Sequence, residues 1–386
     1  MKQVFLMSII TIILSACQTL GFIEDNPREP TKLNKNYDNF AEDLWSKSKA
    51  RSYISLDNIR GKDLIINNFV TAGGNVYRTV NGVLEILNLE NGAVEQELIL
   101  EVSDTSLGLA VGYNTFTYSD QKGNFYVHDL ESGDLRWKKS LNDLVITKSL
   151  ITPRSIFVQT TSDKLYALNF RSGETIWSKS AQAPLLSIRG TAEPFFYEGI
   201  IFATFSNGRL AAIRANDGIQ IWEKPISFLK GTTELEKLMD SDSSAVAFGE
   251  SVYAANYNGS ISKFQIRTGE KDFSIDFSTS KPIVLYREKI IGTTNEDEIM
   301  AFDAVNGNIL WQLDDFKFRR ISNLVEDSGE LFFGDIDGFI HKIDAEDGKI
   351  LGIENARMGH IKQLSLSSRK IFVLDFQGRL KAFEID

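Results

Sequence analysis

Two residue types that carry much of protein chemistry are nearly missing from this 386-residue chain, which has one cysteine, Cys17, and three histidines, His128, His341 and His360. A single thiol excludes an intramolecular disulfide, even in an oxidising compartment. The histidines fall at strand or loop positions without metal-ligand spacing, which points to packing or surface roles. No glycine-rich phosphate loop and no G-x-S-x-G elbow occurs. The acidic strings Glu296-Asp297-Glu298 and Asp314-Asp315 lie at expected turns, where a solvated face accounts for them. Positive charge is also short: 42 Lys+Arg against 52 Asp+Glu leave a net charge of −10, a poor match for nucleic-acid phosphates. The opening apolar run, Val4 to Leu14, is too short to span a bilayer. With these absences the sequence offers no catalytic centre, so no enzyme activity, cofactor or metal is expected.

What the chain has instead is repetition. Asp134-Leu135-Arg136-Trp137 follows Gly133, Glu174-Thr175-Ile176-Trp177 follows Gly173, Ile219-Gln220-Ile221-Trp222 follows Gly218, and Asn308-Ile309-Leu310-Trp311 follows Gly307. Tryptophan always stands four residues beyond glycine. With Gly92, Gly269 and Gly348, which close similar turns, the glycine spacings are 41, 40, 45, 51, 38 and 41. A period near 40 marks repeated four-stranded β units. The turns themselves, such as Asn91-Gly92, Asp217-Gly218 and Asn306-Gly307, supply the positive φ that tight hairpins demand. Second turns lie upstream at Asn81-Gly82, Lys122-Gly123, Asn207-Gly208, Asn258-Gly259, Asp337-Gly338 and Gln377-Gly378, with alternating strands between.

Seven complete turns give seven blades, and the C-terminal segment holds three more strands but ends before a fourth. That fourth is expected at the other end, because Trp45-Ser46-Lys47-Ser48 repeats Trp177-Ser178-Lys179-Ser180. The reading is an all-β, eight-bladed β-propeller over residues 37–386, its last blade shared by both termini, which hides edge strands an open ring would expose. The tryptophans are packing residues between blades, each burying roughly 150–250 Å²; where tryptophan is missing, Phe273 or nothing bulky takes the offset.

The N-terminus reads as a lipoprotein signal. Lys2 precedes the apolar run, which ends in Leu14-Ser15-Ala16-Cys17. This matches a lipobox, with residues 1–16 removed and Cys17 lipidated, and several acyl chains anchor stably at about 0.8 kcal/mol per buried methylene. Losing residues 1–16, whose only charged side chain is Lys2, leaves −11 on the mature chain. Residues 17–36 read as the lipidated cysteine and a flexible tether, with Pro27, Pro30 and no periodicity. Gln18, not aspartate, follows the cysteine, which favours the outer membrane over retention at the inner one.

Two family resemblances bear on function. Ala301-Phe302-Asp303-Ala304-Val305-Asn306-Gly307-Asn308-Ile309-Leu310-Trp311 resembles the tryptophan-docking repeat of pyrroloquinoline quinone dehydrogenases, which are also eight-bladed propellers. The adjacent cysteine pair on which cofactor binding depends there is absent here, and this chain is shorter. The extra length of the 51-residue spacing before Gly269 falls within residues 225–249, where Thr233 to Glu236 has capping-box spacing and Leu235, Leu238 and Met239 share a helical face, which predicts a short helix. The run from Gly231 through Asp240-Ser241-Asp242, Tyr257-Asn258-Gly259 and Arg267-Thr268-Gly269 resembles the BamB family, the propeller lipoproteins of the outer-membrane β-barrel assembly machinery. Leu185-Leu186-Ser187-Ile188-Arg189-Gly190 followed by Ser206-Asn207-Gly208-Arg209 does so too.

That resemblance implies a non-catalytic scaffold that docks the periplasmic domains of BamA, works beside the other machinery subunits and assists folding and insertion of outer-membrane proteins, with contact to their unfolded chains. The implied contacts are Leu186, Ile188 and Arg189 in one loop and Asp240 and Asp242 in the next; Ile188 replaces a leucine, and Ser241 replaces the usual valine. Repeat arithmetic bears on their placement separately: Arg189 precedes Gly218 by 29 residues and Asp240 precedes Gly269 by 29, so both enter a blade's first strand on one face of adjacent blades. Arg189 and the aspartates pairing with each other as an inter-blade bridge is the structural alternative. A periplasmic propeller lipoprotein binding glycan or peptide, and a quinoprotein dehydrogenase, are the functional ones.

Overall fold

The computed structural model describes residues 28–48, 68–80, 82–102, 107–181, 192–227 and 243–386. Among them, 32 strands form eight four-stranded antiparallel sheets, and no helix occurs. Blades 1 to 7 are continuous meanders, running 69–99, 107–140, 150–180, 195–225, 246–276, 284–313 and 325–355. Blade 8 joins the two ends of the chain: Ile361–Ser367, Lys370–Asp375 and Leu380–Ile385 receive Ala41–Lys47 as the outer strand. Ala41 pairs with Ile385 and Lys47 with Leu380. The expected eighth blade is therefore present with the expected strand. The predicted helix over 233–239 lies outside the described residues.

A four-stranded meander puts its turns on two faces. On one lie the turns between strands 2 and 3 and the connections to the next blade; there the residue leaving strand 4 donates to the turn glycine's carbonyl, as Leu100 does to Gly82, Leu141 to Gly123, Ile226 to Gly208 and Ala356 to Gly338. On the other lie the turns between strands 1 and 2 and between 3 and 4, tied by bonds such as Phe170 to Arg154 and Ala345 to Gly329. We call the first the connection face. In blades 1 to 5 and in blade 7 the backbone N–H that leaves the fourth strand is thus satisfied within its own blade.

The tryptophans explain the repeat. A β-bulge just before each, as between Ala167 and Leu168 opposite Trp177, re-aims the side chain toward the following blade. There its indole N–H donates to the backbone carbonyl three residues before the next turn glycine: Trp45 to Leu89 at 3.0 Å, Trp137 to Phe170 at 3.0 Å, Trp177 to Ala215 at 2.9 Å, Trp222 to Ile266 at 2.8 Å and Trp311 to Ala345 at 3.3 Å. The ring lies on the glycine itself, so a Cβ on Gly218 would stand 2.5 Å from Trp177 Cγ. Glycine is needed there twice over, for φ near +73° and for the space.

Interfaces without tryptophan find other donors. Gln96 holds the offset in blade 1 and donates to Glu131 O at 2.9 Å. Between blades 5 and 6 Phe273 packs, and Tyr253, from another strand, donates to Ala304 O at 2.9 Å. At the closure Gly352 leaves room for Phe40, whose ring comes within 2.7 Å of where its Cβ would be. The core is a ring of apolar clusters between blades, each shared by two of them.

The N-terminal segment departs from the expected tether over 17–36. From Thr31 onward it is held to the ring: Thr31 N–H donates to Lys317 O at 3.0 Å, its hydroxyl to Asp315 O at 2.5 Å, and Arg319 donates to Thr31 O at 2.8 Å. Leu33 packs into the cluster between blades 6 and 7, and Lys35 lies over the Phe339 ring. The chain then passes Ile353, which donates to Asp38 O, and enters blade 8. The sequence pattern hid this because short polar segments with one apolar residue look the same docked or free.

Candidate docking face

The five residues singled out by resemblance, Leu186, Ile188, Arg189, Asp240 and Asp242, lie outside the described residues, as does Cys17. The structure does describe the ends of the two connections that carry the five. Ala181 leaves blade 3 and Ala192 leads to blade 4; Ser227 leaves blade 4 and Ser243 leads to blade 5. All four ends belong to the connection face.

A polar platform joins these ends across three blades. Glu193 N–H donates to Ser244 Oγ at 3.0 Å, which ties the end of the first connection directly to the end of the second. Beneath, Thr204 Oγ1 donates to Ser243 O at 3.1 Å, and Gln159 of blade 3 donates to Thr204 O at 2.8 Å. Asn256 Nδ2 donates to Ser227 Oγ at 2.8 Å and its Oδ1 accepts Ser260 N–H at 3.0 Å, which fastens the exit from blade 4 to the turn of blade 5. Gln159, Thr204, Ser227, Ser243 and Asn256 are all buried, so the bonds these five make here are protected from water and costly to lose, whereas the Glu193–Ser244 bond is exposed.

One carboxylate belongs to this platform. Asp163, in the left-handed region at the turn of blade 3, accepts both the backbone N–H and the hydroxyl of Ser206 in blade 4. Burial pushes its carboxyl above the usual range, the Ser206 bonds oppose this, and nearby Asp143 adds to the rise. Asp143 itself is held low: burial raises it, but bonds from Thr160, Ser162 and Thr161 outweigh that. These groups lie within the fold and carry no reacting geometry. Sequence reasoning missed Glu193, Ser244, Thr204 and Gln159, since isolated polar residues between strands give no periodic signal.

Further round the same face lies a second buried network. Arg319, on the connection between blades 6 and 7, donates Nε and one terminal nitrogen to Asp335 at 2.9 and 2.7 Å and reaches Asp337 at 2.5 Å. His341 Nε2 lies 3.1 Å from Asp335. Burial is the largest influence on both members, depressing the imidazole and opposing ionisation of the carboxyl, but bonds from His341, Phe339 and Arg319 keep Asp335 low. The other terminal nitrogen, Nη1, is the one that holds Thr31. Close by, a cleft of about 750 Å³ opens between blades 5 and 6, with Arg28, Asp276, Glu296, Glu298, Phe277 and Phe318 in its wall.

The histidines stand apart, in blades 2, 7 and 8. His128 stacks on Phe116 and Tyr118, with Nδ1 at 3.0 Å from Gly133 O and Nε2 at 3.2 Å from the Tyr118 hydroxyl. Because the carbonyl only accepts, Nδ1 carries the proton and Nε2 accepts from Tyr118. His360 lies 3.0 Å from Arg320 O and packs on Phe376. Among the described residues no group of His, Cys, Asp and Glu could hold a metal ion.

An eight-bladed ring closed by its N-terminal strand, with indoles docked on the turn glycines of following blades, defines a repeat propeller of the tryptophan-docking class. Within that class the family is specific: residues 58–313 match the family described as outer membrane protein assembly factor BamB, and the chain belongs to it. Curated relatives carry the same description. The Yersinia pestis protein is 25% identical over 264 residues, 68% of this chain and 67% of its own length, and that of Escherichia coli is 25% identical over 279, covering 70% and 71%. The Salmonella typhimurium protein is 24% identical over 311 residues, 78% and 79% of the two chains. In fold, the chain is similar to the crystal structure of BamB from Moraxella catarrhalis, with a TM-score of 0.76 at 21% identity, covering 89% of this chain and all of that one. A computationally designed protein, Ika8, shares the architecture at a TM-score of 0.71 and 13% identity.

Proposed function

We propose that this chain is a non-catalytic, lipid-anchored scaffold of the outer-membrane protein assembly machinery, facing the periplasm and docking the periplasmic domains of BamA. Leu186, Ile188 and Arg189 on one connection and Asp240 and Asp242 on the next form the docking patch, with Cys17 as the lipidated residue. The observation that carries this reading is the Glu193–Ser244 bond, which fastens the ends of both connections side by side. The ends of the two connections thus stand 3.0 Å apart on one face of adjacent blades, and that placement supports a single shared surface.

Binding and unfolding measured together test the patch. Arg189→Glu and Asp242→Arg should each weaken affinity for the isolated BamA periplasmic domains by about 2–5 kcal/mol if the contacts are desolvated. The same changes should alter stability by only about 0–1 kcal/mol, as for exposed charges. If the residues instead bridge each other, the double swap restores stability. Unchanged affinity in both single variants refutes the assignment, and isolation of the native membrane complex without BamA refutes the scaffold reading.

A further inference from the structure

On the face opposite the connection face, the turns between strands 1 and 2 of blades 2 and 3 meet blade 4 around a groove of about 410 Å³, within the roughly 300–1,000 Å³ of ligand pockets. Its apolar floor includes Ile151, Phe157 and Ala215. The Ala215 carbonyl receives the Trp177 indole, so the repeat contact itself holds this floor in place. Two aromatic rings that line the groove are left open to solvent, Tyr113 at 59% and Phe196 at 42% exposed.

Tyr113 stands out among the blades. It is the first residue of its turn and has φ +51°; at the same place blades 1, 7 and 8 have Gly73, Ser328 and Ser368, blade 3 has Pro153, and no other blade has an aromatic residue. A bulky side chain in the left-handed region carries backbone strain, and such outliers gather where ligands are held. At the rim, Thr152 and Ser155 satisfy each other at 2.7 and 3.0 Å. The Arg154 guanidinium, the Asn216 amide and the Tyr113 hydroxyl have no hydrogen-bond partner among the described residues. A second hollow of about 290 Å³ shares Tyr113 and Ile151 and continues past Val111 and Val70 to Lys148 and Glu193. The first strands of blades 1 to 4 therefore carry an open track and not a closed chamber.

We infer that this groove binds an extended peptide in which an aromatic side chain neighbours a carboxylate. The apolar floor and the two open rings suit an aromatic ring, which pairs with others in offset or edge-on geometry. Arg154 supplies the charge complement, since its planar fork matches a carboxylate bidentately. A guanidinium has donors and no acceptor, a poor match for the hydroxyls of a glycan. The open track suits a chain longer than one residue. Because the groove and the connections that carry the candidate docking patch lie on opposite faces, both can be occupied together.

The chain from Gln18 onward, which keeps all 32 strands, is titrated with acetyl-Gly-(4-fluorophenylalanine)-Asp-Gly-amide and followed by fluorine NMR line broadening. Binding should saturate, and should weaken about tenfold or more when the peptide's Asp is replaced by Asn or when Arg154→Gln is made. The two changes together should cost no more than either alone. Phe196→Ser should weaken binding, whereas Phe248→Ser, which removes a ring 52% exposed on blade 5 and outside the groove, should not. Tyr113→Gly should weaken binding while leaving the urea midpoint unchanged or higher, because glycine relieves the strain. Absence of saturable binding, equal affinity for the Asn peptide, or full affinity in Arg154→Gln overturns the inference. A lowered midpoint in Tyr113→Gly makes the ring a packing residue and overturns its role in binding. Displacement of the peptide by chitotriose at lower concentration than by unlabelled peptide assigns the groove to glycans and overturns the peptide reading.

Discussion

Substitution of Gly218 by alanine isolates what tryptophan docking contributes. Gly218 and Gly199 lie in the same blade, both with positive φ, +73° and +81°, but a Cβ on Gly218 would meet Trp177 Cγ at 2.5 Å whereas Gly199 has nothing within 4 Å. Either substitution carries left-handed backbone strain of about 1–2 kcal/mol. Gly199→Ala should show that and little more. In Gly218→Ala the indole must move off the turn, losing its bond to Ala215 O, worth about 1 kcal/mol. A tryptophan buries roughly 150–250 Å², or about 4–6 kcal/mol at 25 cal/mol per Å². Giving up half of that brings the total for Gly218→Ala to about 4–6 kcal/mol, against about 1–2 for Gly199→Ala. Urea unfolding of the chain lacking residues 1–17 measures both. Trp177→Ala should cost about 3–5 kcal/mol by itself, and adding Gly218→Ala to it should cost only the backbone strain, since the clash is gone. Gly218→Ala within about 1 kcal/mol of Gly199→Ala would refute the steric account, and so would full additivity with Trp177→Ala.

Deleting residues 37–50 removes Phe40, Trp45 and the strand Ala41–Lys47, and should lower stability by more than about 5 kcal/mol, given the apolar surface they bury. An unchanged thermal midpoint would refute closure by that strand. Cys17→Ser should yield a soluble or uncleaved but folded propeller, whereas a mature, membrane-bound protein with unmodified Cys17 would contradict lipidation. Acidification tests the histidines. Burial holds His128, His341 and His360 below the ordinary imidazole range. A base depressed in the fold contributes stability above its unfolded pKa, near 6.5, and that contribution is lost as pH falls through and below it. The thermal midpoint should therefore drop between about pH 7.5 and 5; a flat profile over that interval would show that the three do not remain neutral.

The fold was legible because its main contact obeys a fixed spacing. Each indole needs a bulge before it and a bare glycine in the following blade, so glycine and tryptophan recur in step, and Trp45-Ser46-Lys47-Ser48 could be recognised as a displaced strand. Where another residue does the same work from a different position, the pattern goes silent. Tyr253 replaces an indole from the second strand, Gln96 reaches one carbonyl further along, and Phe40 enters from outside the repeat. The platform that ties the ends of the two connections together was illegible for a related reason. Glu193 and Ser244 are 51 residues apart, and neither belongs to a motif that would connect them. The pinned residues Thr31 and Leu33 are held by backbone carbonyls of residues 315 and 317 and by a packed cluster, which no side-chain pattern encodes.

Closure through the last blade also dictates the order in which the ring can be made. Ala41 pairs with Ile385, so the first strand has no partner until the final residues of the chain exist. Blades 1 to 7 can assemble from neighbours as they are completed, each closing hairpins of modest length. The final step joins ends more than three hundred residues apart, and chain entropy opposes it until the seven preceding blades have brought those ends together. Until then Ala41–Lys47 and Leu380–Ile385 are unpaired edges, open to any other extended chain. Ring closure is thus the step of folding that chain entropy opposes most.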